Sequence, residues 1–395
     1  MNLRFIITSY NVAAYIDRCL ESVLALLRDG DRVLIIDDAS TDGTAEYLSN
    51  WISASPERAT VCELRLFGTH TPGGVGIAAN TGIAVALADS DCEALFFVDG
   101  DDWLDPSGFA RCRTAFEASG AEILIGNYLT FDEATQKIGH PADTVDWLSL
   151  RDLPKGCLDP IRTLALKLIA VPWRKFYRAD FLRREQLRFP EGNFFYEDNP
   201  FHWEVCLKAR SIELCNFYLC YHRINRIGQT MSEAGVELIA FFEHFETILT
   251  HINGWRSPHA IIALHWLWNN MTWHVARLHP YACWPYAARA VSALASIPES
   301  LWVRARASFD PRNSIPYQLE ALRRNDLAAI VACWQQDARA RQVNTQLKAL
   351  SSELCEIRSY LEQIRHQSAA TAEIARFKAL CAVAACQDFD EAVDF

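Results

Sequence analysis

The 395-residue chain predicts an α/β fold, a Rossmann-like, mostly parallel sheet flanked by helices, followed by an α-helical C-terminal region with a short coiled-coil-like seam. Three observations carry this expectation. Short apolar runs alternate with helical patterns in the N-terminal part. Successive runs end in acids and turn residues, as strands do where they deliver loops to the rim of a parallel sheet. Near the C-terminus, apolar residues recur by four and three.

Leu3-Arg4-Phe5-Ile6-Ile7-Thr8 reads as a first strand. Ser9-Tyr10-Asn11 follows, with Asn11 as a helix cap, and then a helical pattern through Tyr15, Ile16, Cys19, Leu20, Val23 and Leu24. Arg32-Val33-Leu34-Ile35-Ile36 is a second strand, running into an acidic turn before the next helix, where Asp37 and Asp42 read as turn formers and caps. The most informative stretch is Phe96-Phe97-Val98-Asp99-Gly100-Asp101-Asp102-Trp103. There a buried-strand pattern ends in three carboxylates within four residues. Like charges that close raise one another's pKa unless a cation or a hydrogen-bond donor is supplied. Hard oxygen ligands suit Mg2+ or Mn2+, which bridge carboxylates and nucleotide diphosphates. Taken alone, the cluster also reads as a solvated turn.

Four stretches in register carry more than any one of them. Thr8-Ser9-Tyr10-Asn11, Ile36-Asp37-Asp38-Ala39-Ser40-Thr41-Asp42-Gly43-Thr44, Ala78-Ala79-Asn80-Thr81-Gly82-Ile83 and Val98-Asp99-Gly100-Asp101-Asp102 resemble the successive signatures of family 2 glycosyltransferases of the GT-A fold. The resemblance continues through Trp173-Arg174-Lys175-Phe176-Tyr177, Phe189-Pro190-Glu191-Gly192, Tyr196-Glu197-Asp198 and Tyr221-His222-Arg223-Ile224-Asn225-Arg226, and covers about residues 1–232. It implies inverting transfer of a sugar from a nucleotide diphosphate, a UDP-sugar, to a hydroxyl acceptor with Mn2+ or Mg2+. The setting it implies is bacterial surface polysaccharide or glycoconjugate synthesis.

Carried over residue by residue, the resemblance implies that Thr8 and Tyr10 line the base pocket, Tyr10 by stacking, and that Asp38 accepts from the imide N–H of uracil. That contact favours uridine over cytidine, whose N3 is an acceptor. Asp99 would sit by the ribose, and Asp101 would ligate the metal. Asp102 would be a direct ligand or would hold one in place. Arg223 and Arg226 would contact the diphosphate or remain surface charges. Asp198 would be the base that takes the acceptor's proton, with Glu197 orienting or touching the acceptor sugar. Asp198 or Asn199 also reads as a cap for the helix that begins with Pro200 in its first turn. Ala79 stands where the family often has Arg, and Gln229-Thr230 where it more often has Ser.

A formal charge of −11 without a Lys/Arg run argues against nucleic-acid binding. No apolar stretch reaches the roughly 18 residues that span a bilayer. The thirteen cysteines, with no C-x-x-C pair and no secretory signal, read as reduced thiols of a cytoplasmic protein. His202 and His222 read as packing or acceptor-pocket residues. The aromatic segment 236–305 leaves open attachment at the inner membrane face, although the spacing of Phe241, Phe245, Ile248 and Leu249 points to core packing.

Three divisions are expected: 1–232 catalytic, 233–335 helical and 336–395 for oligomerisation or partner contact. Val343, Leu347, Leu350, Leu354, Ile357, Leu361 and Ile364 form the seam, with Leu347, Leu354 and Leu361 at a. Glu353 at g would face Arg358 at e of a parallel partner. A homo-oligomer through 343–364 and a helix packed within its own domain both fit. The pattern resumes at Ile374, Phe377, Leu380 and Val383 before an acidic tail. Partners are a nucleotide sugar and a saccharide, lipid-linked or protein acceptor. Two alternatives are a protein glycosyltransferase and a non-catalytic sugar-nucleotide-binding scaffold, and the intact Asp101 and Asp198 weigh against the scaffold.

Overall fold

The computed structural model describes residues 1–66, 73–154, 156–192, 195–226, 228, 234–307 and 315–390, without the side chains of 315–317, 369 and 383–390. Phe194, Gln229, Thr230, the side chain of Val383 and the end of the acidic tail therefore lie outside it. The chain divides into two units, Met1–Val331 and Ala332–Phe395.

In the first unit, β1 (Leu3–Ser9), β2 (Arg32–Asp37), β3 (Cys62–Leu66), β4 (Ala94–Asp99), β5 (Trp103–Leu104), β6 (Ile123–Asp132), β7 (Lys137–Gly139), β8 (Lys175–Arg178) and β9 (Ile212–Ile224) build one sheet. Its order is β3-β2-β1-β4-β8-β6-β9-β5, with β7 on β6. The first four strands are parallel, joined through α1 (Ile16–Leu24), α2 (Thr44–Ser53), α3 (Pro56–Val61) and α4 (Val75–Ala88). The rest is mixed: β8 runs antiparallel to β4 and β6, while β9 is parallel to β6 and antiparallel to β5.

β1 and β4 are apolar on both faces because helices cover the sheet, and Phe5, Ile6, Ile7, Leu95, Phe96 and Phe97 are buried. Phe96 lies 4.7 Å from Phe176 and 5.0 Å from Phe109 of α5 (Pro106–Ser119), ring centre to ring centre. Burying such rings contributes roughly 1.5–3 kcal/mol each. This core fixes the carboxyl ends of β1, β2 and β4 side by side, with Thr8 opposite Asp99 and Ser9 opposite Asp37.

α6 (Leu158–Ala165) precedes β8, and α7 (Ala179–Glu185) and α8 (Asp198–Lys208) lie between β8 and β9 in the chain. The helical region comprises α9 (Ala240–His251), α10 (Ala260–Val275), α11 (Cys283–Ala295), α12 (Glu299–Ala307) and α13 (Ile315–Arg323). Phe241, Phe242, Phe245, Ile248 and Trp268 are buried there, so the helical spacing of these residues reflects core packing, whereas Trp273 and Trp284 stay exposed. Among the described residues no helix is long and apolar enough to cross a membrane.

The second unit consists of the greater part of α14 (Leu327–Asp390). Every side chain of its seam is exposed, from 43% at Ile364 to 65% at Leu354.

Candidate functional site

The acids end on a rim because β4 stops at Asp99 and a turn follows, closed by hydrogen bonds from Gly100 N to Thr8 O and from Asp102 N to Asp99 O. One carboxylate oxygen each of Asp99, Asp101 and Asp102 lies within 4.8 Å of the others. Burial, then the charges of Asp102 and Asp101, pushes Asp99 up to about 8. Thr8 Oγ1 donates to Asp99 Oδ1 at 3.2 Å.

The pairing of β5 with β9 brings the basic loop to this rim, since Trp103 pairs with Tyr221 and their rings stack 5.1 Å apart. Asp102 is held on both oxygens. Oδ1 accepts the Arg223 N–H at 2.8 Å, and Oδ2 lies 2.9 Å from His222 Nδ1. Burial would lower His222, but the Asp102 carboxylate outweighs it and lifts the imidazole to about 9. His222 also stacks on Trp173, so it combines packing with charge pairing. His202 is buried with Nε2 3.0 Å from Ala165 O, which is a packing position.

The two arginines differ. Arg223 is buried, donates Nε to Asp101 O at 2.8 Å, pairs with Glu133, and lies over Tyr15, 4.7 Å from the ring centre. Arg226 pairs through Nε with the Asp101 carboxylate. Glu133 escaped the sequence reading because nothing local marks it; it reaches Arg223 only through the pairing of β6 with β9.

At the neighbouring strand end Tyr10 is 41% exposed, so its ring is open to a planar ligand. Asp38 is buried and accepts from Gly73 N at 2.7 Å and Gly74 N at 2.8 Å, one on each oxygen. A carboxylate has about four acceptor sites, so these bonds orient Asp38 and leave capacity for another donor. Asp37 accepts from Ser9, Ser40 N and Ser40 Oγ, and Asp42 from Ala13 N, Thr44 N and Thr44 Oγ1. Both are turn-forming acids. Asn11, expected as a helix cap, is not one: its φ is 51°, α1 begins at Ile16, and Asn11 Oδ1 accepts from Thr41 N at 2.8 Å, tying the first two loops together.

Asn80 on α4 makes a two-way clamp, donating to Phe189 O at 2.9 Å and accepting from Phe189 N at 2.8 Å. Ala79 beside it is buried. A Cβ on Gly76 would lie 2.5 Å from Pro190 O and 3.3 Å from Glu197 Cγ, so only glycine lets α4 approach the second acidic pair.

That pair is Glu197 and Asp198, at the start of α8. Burial, then the Asp198 charge, raises Glu197 to about 8, and the charge of Asp99 adds to the rise. Burial also raises Asp198, opposed by Lys175 and by the Asn199 hydrogen bonds. Lys175 is buried with Nζ 3.2 Å from Ala170 O and is lowered to about 7 by desolvation. The structure thus brings Thr8 together with Asp99, Asp101 and Asp102 with Arg223 and Arg226, and Glu197 with Asp198. Asp38 and Tyr10 stand at the adjoining strand end.

The acid cluster fits a divalent cation. Three carboxylates converge, and burial together with the charges of Asp102 and Asp101 drives Asp99 toward protonation, which a cation would relieve. Asp101 and Asp99 are the candidates to hold it. Asp102 is engaged on both oxygens and suits holding the turn in place.

Comparisons with known proteins show what the chain is similar to. The model of the family described as Glycosyl transferase family 2 matches residues 5–185. A poly(ribitol-phosphate) beta-glucosyltransferase of Bacillus spizizenii is 24% identical over 64% of this chain and 37% of its own length. The putative glycosyltransferase EpsH of Bacillus subtilis is 26% identical over 59% of this chain and 65% of its own length. The chain thus spans about a third to two thirds of these relatives. The crystal structure of S. aureus TarS 1-349 in complex with UDP-GlcNAc superposes with a TM-score of 0.64 at 19% identity, over 86% of this chain and 92% of that one. The fold is therefore GT-A.

Proposed function

We propose that the chain, whose residues 5–185 match the model of the family described as Glycosyl transferase family 2, is an inverting, metal-dependent transferase moving a sugar from a UDP-sugar to a hydroxyl acceptor. The observation that supports this best is geometric. The start of α4 borders both groups, since the Gly73 and Gly74 amides hold Asp38 at the strand ends and a Cβ on Gly76 would lie 3.3 Å from Glu197 Cγ.

In this reading Tyr10 stacks on the base, Thr8 lines its pocket, and Asp38, oriented by the Gly73 and Gly74 amides, accepts from the uracil imide. Asp99 adjoins the ribose. Asp101, steadied by Asp102 and His222, holds Mn2+ or Mg2+, which when bound neutralises the leaving diphosphate. Arg226 turns from Asp101 to the phosphates, while Arg223 keeps the loop in place. Asp198 takes the acceptor O–H proton as that oxygen bonds to the anomeric carbon from the face opposite the diphosphate, which departs with the electrons of the broken C–O bond. Glu197, protonated at neutral pH, can donate a hydrogen bond to the acceptor. The acceptor is a saccharide, lipid-linked or protein hydroxyl in surface polysaccharide or glycoconjugate synthesis. The setting is cytoplasmic or at the inner membrane face. The exposed seam of α14 suits a second copy of the chain.

The test is hydrolysis of UDP-glucose and UDP-N-acetylglucosamine with Mn2+, measured with transfer to candidate saccharides. Asp198→Asn should lower turnover by about a hundredfold or more while leaving UDP affinity nearly unchanged. An equal collapse of UDP affinity would move Asp198 into the nucleotide site, and binding without turnover of any UDP-sugar would select a non-catalytic scaffold.

A further inference from the structure

The segment carrying Asp198 is held by side chains that follow the family-matched region. His244 Nε2 of α9 lies 2.8 Å from Phe195 O. Arg277, just past α10, donates to the Tyr196 hydroxyl at 3.1 Å. Tyr196 packs against Phe241 and His274, with ring centres 6.3 and 5.4 Å away, and has a φ of 71°, a left-handed conformation that costs a side chain about 1 kcal/mol or more. Trp266 Nε1 of α10 donates to Asn199 Oδ1 at 3.0 Å, and Asn199 Nδ2 donates to Asp198 Oδ1 at 2.7 Å.

We infer that Trp266 is a positioning residue for the proposed reaction: its indole N–H fixes the orientation of Asn199, which then fixes Asp198. The inference rests on Asp198 being the base. An indole nitrogen only donates, so the end of the Asn199 amide that faces Trp266 has to be the oxygen. The –NH2 end is thereby turned to Asp198, where it occupies Oδ1. Asn199 Nδ2 is also 3.4 Å from Tyr196 O, so without the indole donor the amide loses the bond that holds its oxygen end and keeps those of its –NH2 end, which loosens the bond that favours the charged, proton-accepting form of Asp198. The other titratable groups around Asp198 are Lys175 on β8, which favours the charged form, and Glu197, Tyr196 and Tyr177. Of these only Tyr196 touches the amide, through its backbone carbonyl at the –NH2 end, and none of them holds the oxygen end.

Trp266→Phe keeps the ring and removes the donor. In the Mn2+-dependent hydrolysis and transfer assays it should lower kcat about tenfold, move the acid limb of kcat/KM upward by about half a pH unit or more, and leave UDP affinity within about twofold. Asn199→Leu should reproduce these changes, and adding Trp266→Phe to Asn199→Leu should cost nothing further. If Asp198→Asn is inactive but Trp266→Phe has wild-type turnover and pH profile, the inference fails and the function stands. If Asp198→Asn retains turnover, the function fails first. Should Trp266→Phe not fold, Asn199→Leu decides alone, since an unshifted acid limb there overturns the relay.

Discussion

Arg226 and Asp101 form an ion pair at the end of β4, guanidinium Nε against carboxylate Oδ2. The carboxylate proposed to hold a cation is thus already neutralised by an arginine. In that proposal metal and diphosphate would bind in a linked manner, because a cation held by Asp101 would compete with the guanidinium and a phosphate would offer it a new anion. Arg226→Gln separates the two effects. Mn2+ should bind the nucleotide-free variant more tightly than wild type, and UDP should bind it about tenfold more weakly, as expected for a lost charge-assisted contact. Titration calorimetry with Mn2+ alone and then with UDP reads both, and unchanged values for both would remove Arg226 from the site.

Acid sensitivity should come partly from the aromatic helical core. His274 is fully buried between Tyr196 and Tyr286, with Nδ1 2.9 Å from the Tyr286 hydroxyl, and burial lowers it from 6.5 to about 3. Between those values the unfolded chain binds a proton that the folded chain refuses, so this contribution to stability is present above about 6.5 and is lost as pH falls toward 3. At about 1.4 kcal/mol per pH unit, the loss reaches roughly 2 kcal/mol by pH 5. His274→Gln removes the titration. It should be less stable than wild type at pH 7.5 and should lose less on acidification, so the gap in urea midpoints narrows by pH 5. Parallel pH curves would show that His274 does not refuse the proton.

The parts of the site legible in the sequence are those that secondary structure delivers directly. Strand patterns ending at Thr8, Asp37 and Asp99 become neighbours because parallel strands in register place their carboxyl ends together. What stayed hidden depends on partners far apart in sequence. Asp102 and His222 meet only because Trp103 pairs with Tyr221, and periodicity carries no information about that register. Asn11 fitted a cap by residue type, but its left-handed backbone serves the bond to Thr41 instead. Asn80 was legible as a motif, yet its bonds to Phe189 give it a task no motif states: holding the segment that leads to Glu197 and Asp198. The aromatic spacing after Phe241 indicated a core, and gave no sign that His244 and Trp266 reach back to residues 195–199.

The seam on α14 leads to the last prediction. Seven aliphatic side chains recur by four and three, and each is 43–65% exposed. Covering them between helices would contribute several kcal/mol, at roughly 1.5–3 per fully buried side chain. A second copy is the partner we propose for them, since a parallel pairing would set Glu353 opposite Arg358 as well as matching the apolar positions. Leu354, at the centre and 65% exposed, tests this without disturbing the fold of the single chain. Leu354→Glu should turn an oligomer into a monomer while helix content and UDP binding stay as in wild type, which sedimentation, circular dichroism and calorimetry would read together. A wild-type protein that sediments as a monomer across micromolar concentrations would eliminate self-association through the seam, and an unfolded Leu354→Glu variant would show that the residue is buried within its own chain.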